Sequence, residues 1–196
     1  NVKRYEAAQS NFDALDRACT QYEKNNTAMT NAMTSFNGKL EGMNFENAVT
    51  LAGDGTYTVN ESGIDDAFPV LDDQSRAWVP RKDKNGNVVK DDSGNVIKDQ
   101  STDSVEIQKQ AMNRSKRQKV KSAAQQFCNE YNSKRTANNA INTRYKVDCL
   151  SGLQSAKETA KSDLDSLKEL TTEDNVNIKS IMDSIAADKD QIVITA

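Results

Sequence analysis

The sequence predicts a mainly α-helical protein: a long antiparallel coiled coil or three-helix bundle, with a small β-meander lobe inserted between helices 1 and 2. Two stretches, 5–43 and 120–185, repeat apolar side chains at alternating spacings of three and four residues, as helices that pack along a narrow seam do. Between them, residues 46–102 contain both prolines, the tryptophan and five of the eight glycines. Hydrophobic residues make up only 36% of the chain, which suits a thin helical seam better than a thick globular core.

The first ladder predicts helix 1 over about 2–44, with an apolar seam that holds the helices together. The seam residues are Tyr5, Phe12, Leu15, Tyr22, Met29, Met33, Phe36 and Leu40. Asn26 is a polar interruption in this seam. Two interpretations stay open: its amide faces water, or it is buried and fixes the alignment of the partner helix at a cost in stability.

Residues 46–102 are predicted to form a small β-rich lobe. Asn85-Gly86 and Ser93-Gly94 are turn signals, and Asn-Gly favours a two-residue type I′ hairpin turn in which both residues adopt positive φ. The residues after each turn nearly repeat, so we predict a three-stranded meander over about 77–83, 87–91 and 95–99. Such a small sheet is marginal alone, and we expect it to pack on the helices through Trp78, Val88 or Ile97.

The second ladder predicts helices over about 104–148 and 153–188, which complete a helical rod over 1–45 and 103–190. The spacing slips near Cys149, and this slip is either a stutter within one long helix or a turn between two helices. We favour the turn, because three helices of similar length suit an antiparallel bundle. The β-branched tail, 191–196, is predicted to be a frayed end or a short strand that contacts another protein.

The sequence lacks the residue patterns of common catalytic sites. It has no histidine, which excludes Ser-His-Asp and Cys-His nucleophile systems, and no glycine-rich phosphate-binding loop. The stretch from Asp83 resembles the start of a calcium loop, but its sixth position is Val88 rather than glycine. The acidic pairs Asp65-Asp66 and Asp72-Asp73 are typical of solvated surface. We therefore predict a protein that is not an enzyme and that uses no cofactor or metal.

Charge and hydropathy restrict the partners. The net charge is only -3, and the basic run from Arg114 to Lys121 wraps around its helix, so we interpret it as a solvated face and predict no nucleic-acid binding. No apolar run approaches the roughly 18–20 residues of a transmembrane segment. We expect protein partners, including further copies of this chain.

The three cysteines suggest one possible cross-link. If position 44 stands opposite 104 in an antiparallel pair of helices, the residue numbers of facing positions total about 148. Cys19 and Cys128 nearly satisfy this condition, so they form either a disulfide or two buried thiols. Cys149 is left over, and it is either free or pairs between molecules.

In plan, a pair of long helices with a small lobe inserted between them, the chain resembles the tip and filament proteins of bacterial type III secretion machines. It is also similar to them in its abundance of Asn, Gln, Ser and Thr. The resemblance implies a structural subunit of an extracellular appendage that contacts a host surface or a membrane pore. It also implies a processed or exported chain located outside the cell or at its surface.

Two other functional classes stay open. The lobe of an adhesin-like binding module would contact its partner through Tyr57, Phe68 and Trp78. An intracellular coiled-coil adaptor or chaperone would instead be cytoplasmic. The oxidation state of Cys19 and Cys128 is expected to separate an extracytoplasmic protein from a cytoplasmic one.

Overall fold

The computed structural model describes residues 2–71 and 77–195, and within them the side chains outside 171–175 and 186–195. The described chain is mainly helical, as the sequence predicted, and contains two small antiparallel sheets. The helices are α1 (Val2–Asn37), α2 (Phe45–Ala48), α3 (Glu61–Ala67), α4 (Ser104–Tyr145) and α5 (Leu150–Thr195); the strands are β1 (Val49–Leu51), β2 (Tyr57–Val59), β3 (Trp78–Pro80) and β4 (Lys98–Gln100). None of these helices carries an apolar stretch long enough to cross a membrane.

The chain forms two compact units. Unit 1 comprises Asn1–Asn25 and Ala137–Ala196, and unit 2 comprises Asn26–Thr136. The boundaries fall within α1 and within α4, whereas the sequence-based division separated the insert 46–102 from the helices. Each unit has a hydrophobic cluster of its own.

In unit 1, α4 runs antiparallel to α1. The amide of Asn25 donates to the side-chain oxygen of Asn138 at 2.8 Å, and the hydroxyl of Tyr145 lies 3.5 Å from the carbonyl oxygen of Ala14. Later positions of α4 thus meet earlier positions of α1. This is the antiparallel pairing that the sequence predicted for helices 1 and 2.

Helix α5 also runs antiparallel to α1. Gln154 donates to Glu23 at 3.3 Å, and Lys157 forms an ion pair with Asp16 at 2.8 Å. Since α4 and α5 are both antiparallel to α1, they run in the same direction. The segment 146–149 therefore does not reverse the direction of the chain between α4 and α5. The antiparallel arrangement expected for helices 2 and 3 is wrong.

The buried face of α1 follows a ladder that differs in part from the predicted seam. Leu15, Tyr22 and Phe36 are buried as expected. At the alternate positions Ala18, Asn25 and Ala32 are buried. Of the residues one position later, Cys19 is also buried, whereas Asn26 and Met33 are only half-buried. Among the other predicted seam residues, Leu40 is buried in the turn after α1, and Tyr5, Phe12, Met29 and Met33 are half-buried. Helix α1 ends at Asn37 rather than near 44.

The core of unit 2 is built around an aromatic cluster. The rings of Phe36 and Phe127 stack with centroids 5.1 Å apart, and Phe45, Tyr57 and Tyr131 pack around them at 5.0–5.8 Å. The insert supplies one of these five rings, that of Tyr57, and Phe45 lies directly before it. The insert therefore packs against α4 as part of the core, and is not a separate lobe.

The strands of the insert form two small sheets. Strands β1 and β2 pair antiparallel, with Thr50 opposite Thr58. Strands β3 and β4, the first and third segments of the predicted meander, pair directly with each other. The middle segment forms only isolated bridges to each neighbour, through Val88 and Lys90, so the predicted three-stranded meander is corrected to a two-stranded sheet.

The two predicted hairpin turns have a different geometry from type I′. Gly86 adopts φ 81° and Gly94 adopts φ 84°, but Asn85 and Ser93 have negative φ. In each loop an aspartate carboxylate, from Asp83 or Asp91, accepts hydrogen bonds from backbone N–H groups two and four residues later. These are three-residue loops closed by a positive-φ glycine, the next most common hairpin connection.

Candidate functional site

The two buried cysteines lie in different hydrophobic clusters. Cys19 packs with Leu15 and Tyr22 in unit 1, and Cys128 belongs to the cluster of unit 2 that contains Phe127. Both are free thiols, and burial raises the pKa of each. The Cys19–Cys128 disulfide is therefore not formed.

Of the two alternatives for Cys19 and Cys128, the structure has the two buried thiols, because the disulfide assumed a different helix register. The residue numbers of facing positions total 163 for the Asn25–Asn138 pair and for the Phe36–Phe127 pair, rather than about 148. The first part of α4 packs against the insert and not against α1: Asn113, for example, donates to the carbonyl oxygen of Pro69. This shifts the pairing by about four helical turns.

Cys149 is exposed at the start of α5. Its sulfur lies 3.0 Å from the hydroxyl of Ser151, and its carbonyl oxygen accepts from the N–H of Leu153. Hydrogen bonds from the Ser151 hydroxyl and from the backbone N–H of Gly152 lower the pKa of this thiol. Cys149 is therefore the one cysteine of the three that is open to reagents, and its pairing between molecules stays a prediction.

Two of the three aromatic residues proposed to contact a partner are used inside the fold. Phe68 is only 6% exposed and belongs to the unit 2 core. Tyr57 packs in the aromatic cluster, where burial raises its pKa, and its backbone N–H donates to Asn132 at 2.8 Å. A partner has no access to Phe68 and little to Tyr57.

Trp78 attaches β3 to α4 through its backbone. Its N–H donates to the side-chain oxygen of Gln110 at 3.0 Å, and Gln110 is only 2% exposed. The indole ring is half-buried, and its N–H has no partner within the part of the chain that the structure describes. Of the two other expected contacts, Ile97 is half-buried and Val88 is 44% exposed.

Part of the basic run on α4 holds the insert in place. The guanidinium of Arg117 donates to the carbonyl oxygen of Phe68 at 2.6 Å and to that of Asp65 at 3.1 Å, at the C-terminal end of α3. Lys121 forms an ion pair with the Asp65 carboxylate at 2.8 Å, and Lys116 lies over the Phe68 ring. These cations are structural, so the interpretation of the run as a purely solvated face is corrected.

A buried amide network joins α1 and α4. Gln21 donates to Asn25 and Asn25 donates to Asn138, both at 2.8 Å. The sequence singled out Asn26, which is half-buried, but the buried amide is its neighbour Asn25, 2% exposed. The one-residue error has the same origin as the error in the seam, since Asn25 lies in line with Ala18 and Ala32.

Among the described side chains, four exposed apolar ones lie together on the later part of α5. Ile178, Ile181, Met182 and Ile185 are each 55–64% exposed and share one face of the helix, which we call the distal stripe. The sequence placed three of these residues on the packed face of helix 3. In the structure they are exposed, whereas Leu167, earlier in α5, lines a groove with Arg4.

That groove, the α1–α5 groove, has a volume of about 570 Å³. Ala7, Ala8, Ala160 and Leu167 supply its apolar lining, with Arg4 and Asp163 among its polar residues. A second concavity, of about 640 Å³, follows the polar face of α4 from Ser122 to Lys134.

Neither the acidic residues nor the tail form the sites considered from the sequence. No group of three or more Cys, Asp or Glu side chains suited to a metal ion occurs among the residues the structure describes. Asp72 and Asp73 lie outside the described residues, and the tail through Thr195 continues α5 rather than forming a strand.

No family profile matches this chain, and comparisons with curated proteins and with solved structures find no match.

Proposed function

We propose that this chain is a non-enzymatic assembly subunit of an extracellular bacterial or phage appendage, with protein partners that include further copies of itself. In this proposal its helices form an antiparallel coiled coil, as in the secretion tip and filament proteins that it resembles. The observation that carries the proposal is the distal stripe, because exposed contiguous apolar patches of this kind mark protein contacts.

The way the chain uses its polar residues supports a scaffold. The Gln21–Asn25–Asn138 network is a buried polar device that favours one alignment of α1 and α4. Two polar side chains of α4 hydrogen-bond to the backbone of the insert. Arg117 donates to the carbonyl oxygen of Phe68, and Gln110 accepts from the N–H of Trp78. Such a chain presents surfaces in fixed positions.

The proposal is tested by labelling Cys149 on intact cells that produce the protein. A membrane-impermeant maleimide should label the native chain, while Cys149→Ser, the matched control, should not react. The labelled protein, extracted without denaturant, should then elute as an assembly larger than the 21.7 kDa chain. Labelling only after lysis contradicts an extracellular subunit.

The second candidate is an intracellular coiled-coil adaptor or chaperone. It is favoured by Cys19 and Cys128, which are free thiols buried in separate clusters, since reduced thiols are the usual state in the cytosol. The same labelling experiment separates the two candidates. An adhesin-like role for the lobe is less favoured, because Phe68 is buried and Tyr57 is packed in the aromatic cluster.

A further inference from the structure

We propose that two amide side chains of α4, those of Gln110 and Asn132, cap the outer edges of β3 and β2 and thereby prevent a second copy of this chain from adding a strand there. The inference goes beyond the proposed function, since it holds for an extracellular subunit and for an intracellular adaptor alike. It concerns unit 2 alone, which contains the insert and this part of α4.

Strand β2 has one outer edge that faces away from β1. A strand turns alternate residues toward its partner, and the residues between them present unpaired N–H and C=O groups to which another strand can bind. The carbonyl oxygen of Thr56 accepts from the N–H of Ala52, directly after β1, so Thr56 faces β1. Tyr57 follows Thr56 and therefore turns both of its backbone groups away from β1.

Asn132 satisfies both outward groups of Tyr57 at once. Its side-chain oxygen accepts from the N–H of Tyr57, and its amide nitrogen donates to the carbonyl oxygen of Tyr57, both at 2.8 Å. A side-chain amide carries an acceptor and donors side by side, as a peptide group does. Asn132 therefore occupies the place that the backbone of a third strand would take.

The outer edge of β3 is closed in the same way. The N–H of Ser101 donates to the carbonyl oxygen of Ala77, so Ala77 faces β4 and Trp78 faces away from it. The side-chain oxygen of Gln110 accepts from the N–H of Trp78 at 3.0 Å, and its amide nitrogen donates to the carbonyl oxygen of Trp78. The next outward residue is Pro80, which has no N–H to offer to another strand.

The composition of the strands shows why β2 needs its cap. Tyr57, Thr58 and Val59 are uncharged and of residue types that favour strands, so an open edge here would pair readily. By contrast, the outer edge of β4 carries Lys98, and lysine on an edge strand discourages pairing by its charge. If Asn132 is removed, we expect the uncapped β2 edges of two copies to pair around a twofold axis.

The test compares three Asn→Leu changes on α4 by hydrogen exchange and sedimentation velocity. Asn132→Leu should speed exchange of the Tyr57 N–H by roughly tenfold or more, as loss of its hydrogen bond requires, and should add concentration-dependent association to that of the wild type. Asn129→Leu places leucine at an exposed position and should change neither. Asn138→Leu removes a buried amide of unit 1 and should destabilise the chain without this association.

Gln110→Met tests the second cap, because methionine keeps the length of the side chain without its amide. It should speed exchange of the Trp78 N–H by roughly tenfold while the Tyr57 N–H stays protected. It should associate less than Asn132→Leu, since Pro80 still closes the neighbouring position. If circular dichroism shows that Asn132→Leu does not fold, the exchange of Trp78 in Gln110→Met decides.

Infrared spectra of the associated Asn132→Leu protein should show added intermolecular β-structure. Three results overturn the inference: unchanged exchange at the capped residues, an Asn132→Leu chain that associates no more than the wild type, or equal association in Asn138→Leu. Association without added β-structure overturns it as well, because the copies would then meet through another surface.

Discussion

Replacing the buried amide of Asn138 should lower the free energy of unfolding by more than the net contribution of one hydrogen bond, because it leaves a buried donor without a partner. Asn25 and Asn138 are 2% and 4% exposed, so water cannot take the place of a missing partner. In Asn138→Leu the side-chain N–H of Asn25 loses its 2.8 Å acceptor. A buried donor left without its acceptor costs about 1–3 kcal/mol, and this is the expected loss in the free energy of unfolding.

The double variant Asn25→Leu/Asn138→Leu should be far less destabilised than the single changes predict. It removes both buried polar groups, and leucine is close to asparagine in shape. Gln21, which donates to Asn25, is exposed and can hydrogen-bond to water. Replacing both partners by apolar groups of similar shape is nearly neutral or stabilising, so the two changes should be strongly non-additive.

Urea unfolding followed by circular dichroism at 222 nm measures all four free energies of this cycle. Gln125→Leu is a suitable control, since Gln125 is exposed on α4 and should tolerate the change. Single variants within about 0.5 kcal/mol of the wild type would contradict the reasoning. A double variant whose loss equals the sum of the two single losses would contradict it equally.

Three further predictions concern other sites. Gly63→Ala should lower the free energy of unfolding by about 1–3 kcal/mol, because a Cβ there would clash with the carbonyl oxygen of Asn47. A variant that is as stable as the wild type in urea would show that Gly63 does not lie this close to Asn47. Arg117→Ala should lower the free energy of unfolding by about 1–3 kcal/mol, since it removes the donors to the carbonyl oxygens of Phe68 and Asp65. The control Lys119→Ala, on the same helix, should change it little. Equal effects of the two changes would show that Arg117 does not hold the insert. The thiolate of Cys149 should form at a lower pH than that of an ordinary cysteine, because hydrogen bonds from Ser151 and Gly152 favour the charged form. The rate at which Cys149 reacts with Ellman's reagent should therefore rise with pH around a pKa below that of an ordinary cysteine, and Ser151→Ala should raise that pKa. Cys19 and Cys128 should react only when the protein unfolds. A pH profile that does not shift in Ser151→Ala would refute the role of the hydroxyl.

The sequence predicted the helical class and half of the α1 seam because large apolar side chains carry that signal. Leu15, Tyr22, Met29 and Phe36 recur at helical spacing, and all become buried or half-buried. The other half is lined by Ala18, Asn25 and Ala32, which are small or polar. Hydrophobic periodicity cannot distinguish these from exposed residues, so the predicted seam ran through Asn26 and the larger Met33 instead.

The ends of the helices were harder to predict because residues other than glycine adopt the positive φ angles found there. Glu41 and Lys146 adopt positive φ near the ends of α1 and α4, positions where glycine or asparagine is usual. The residue types gave no signal at the end of α4, whereas Gly38 directly follows the end of α1. The helix register depended on long-range contacts of the insert with α4, such as that of Arg117 with Phe68, and no local pattern encodes these. The distal stripe was visible as a ladder, but the spacing of its residues does not encode their exposure.

The packing of α5 on α1 underlies both the groove and the stripe, and one distance tests it most directly. Nitroxide labels at Ala7→Cys and Ser166→Cys, with the native cysteines replaced and labelled chains diluted with unlabelled ones, allow that distance to be measured by double electron–electron resonance. Both residues line the α1–α5 groove, so we expect a distance below about 25 Å even with flexible labels. If α5 instead turned back against α4 and ran parallel to α1, the labels would lie at least about 35 Å apart at 1.5 Å per residue. The longer distance would contradict the arrangement of unit 1, and with it the groove.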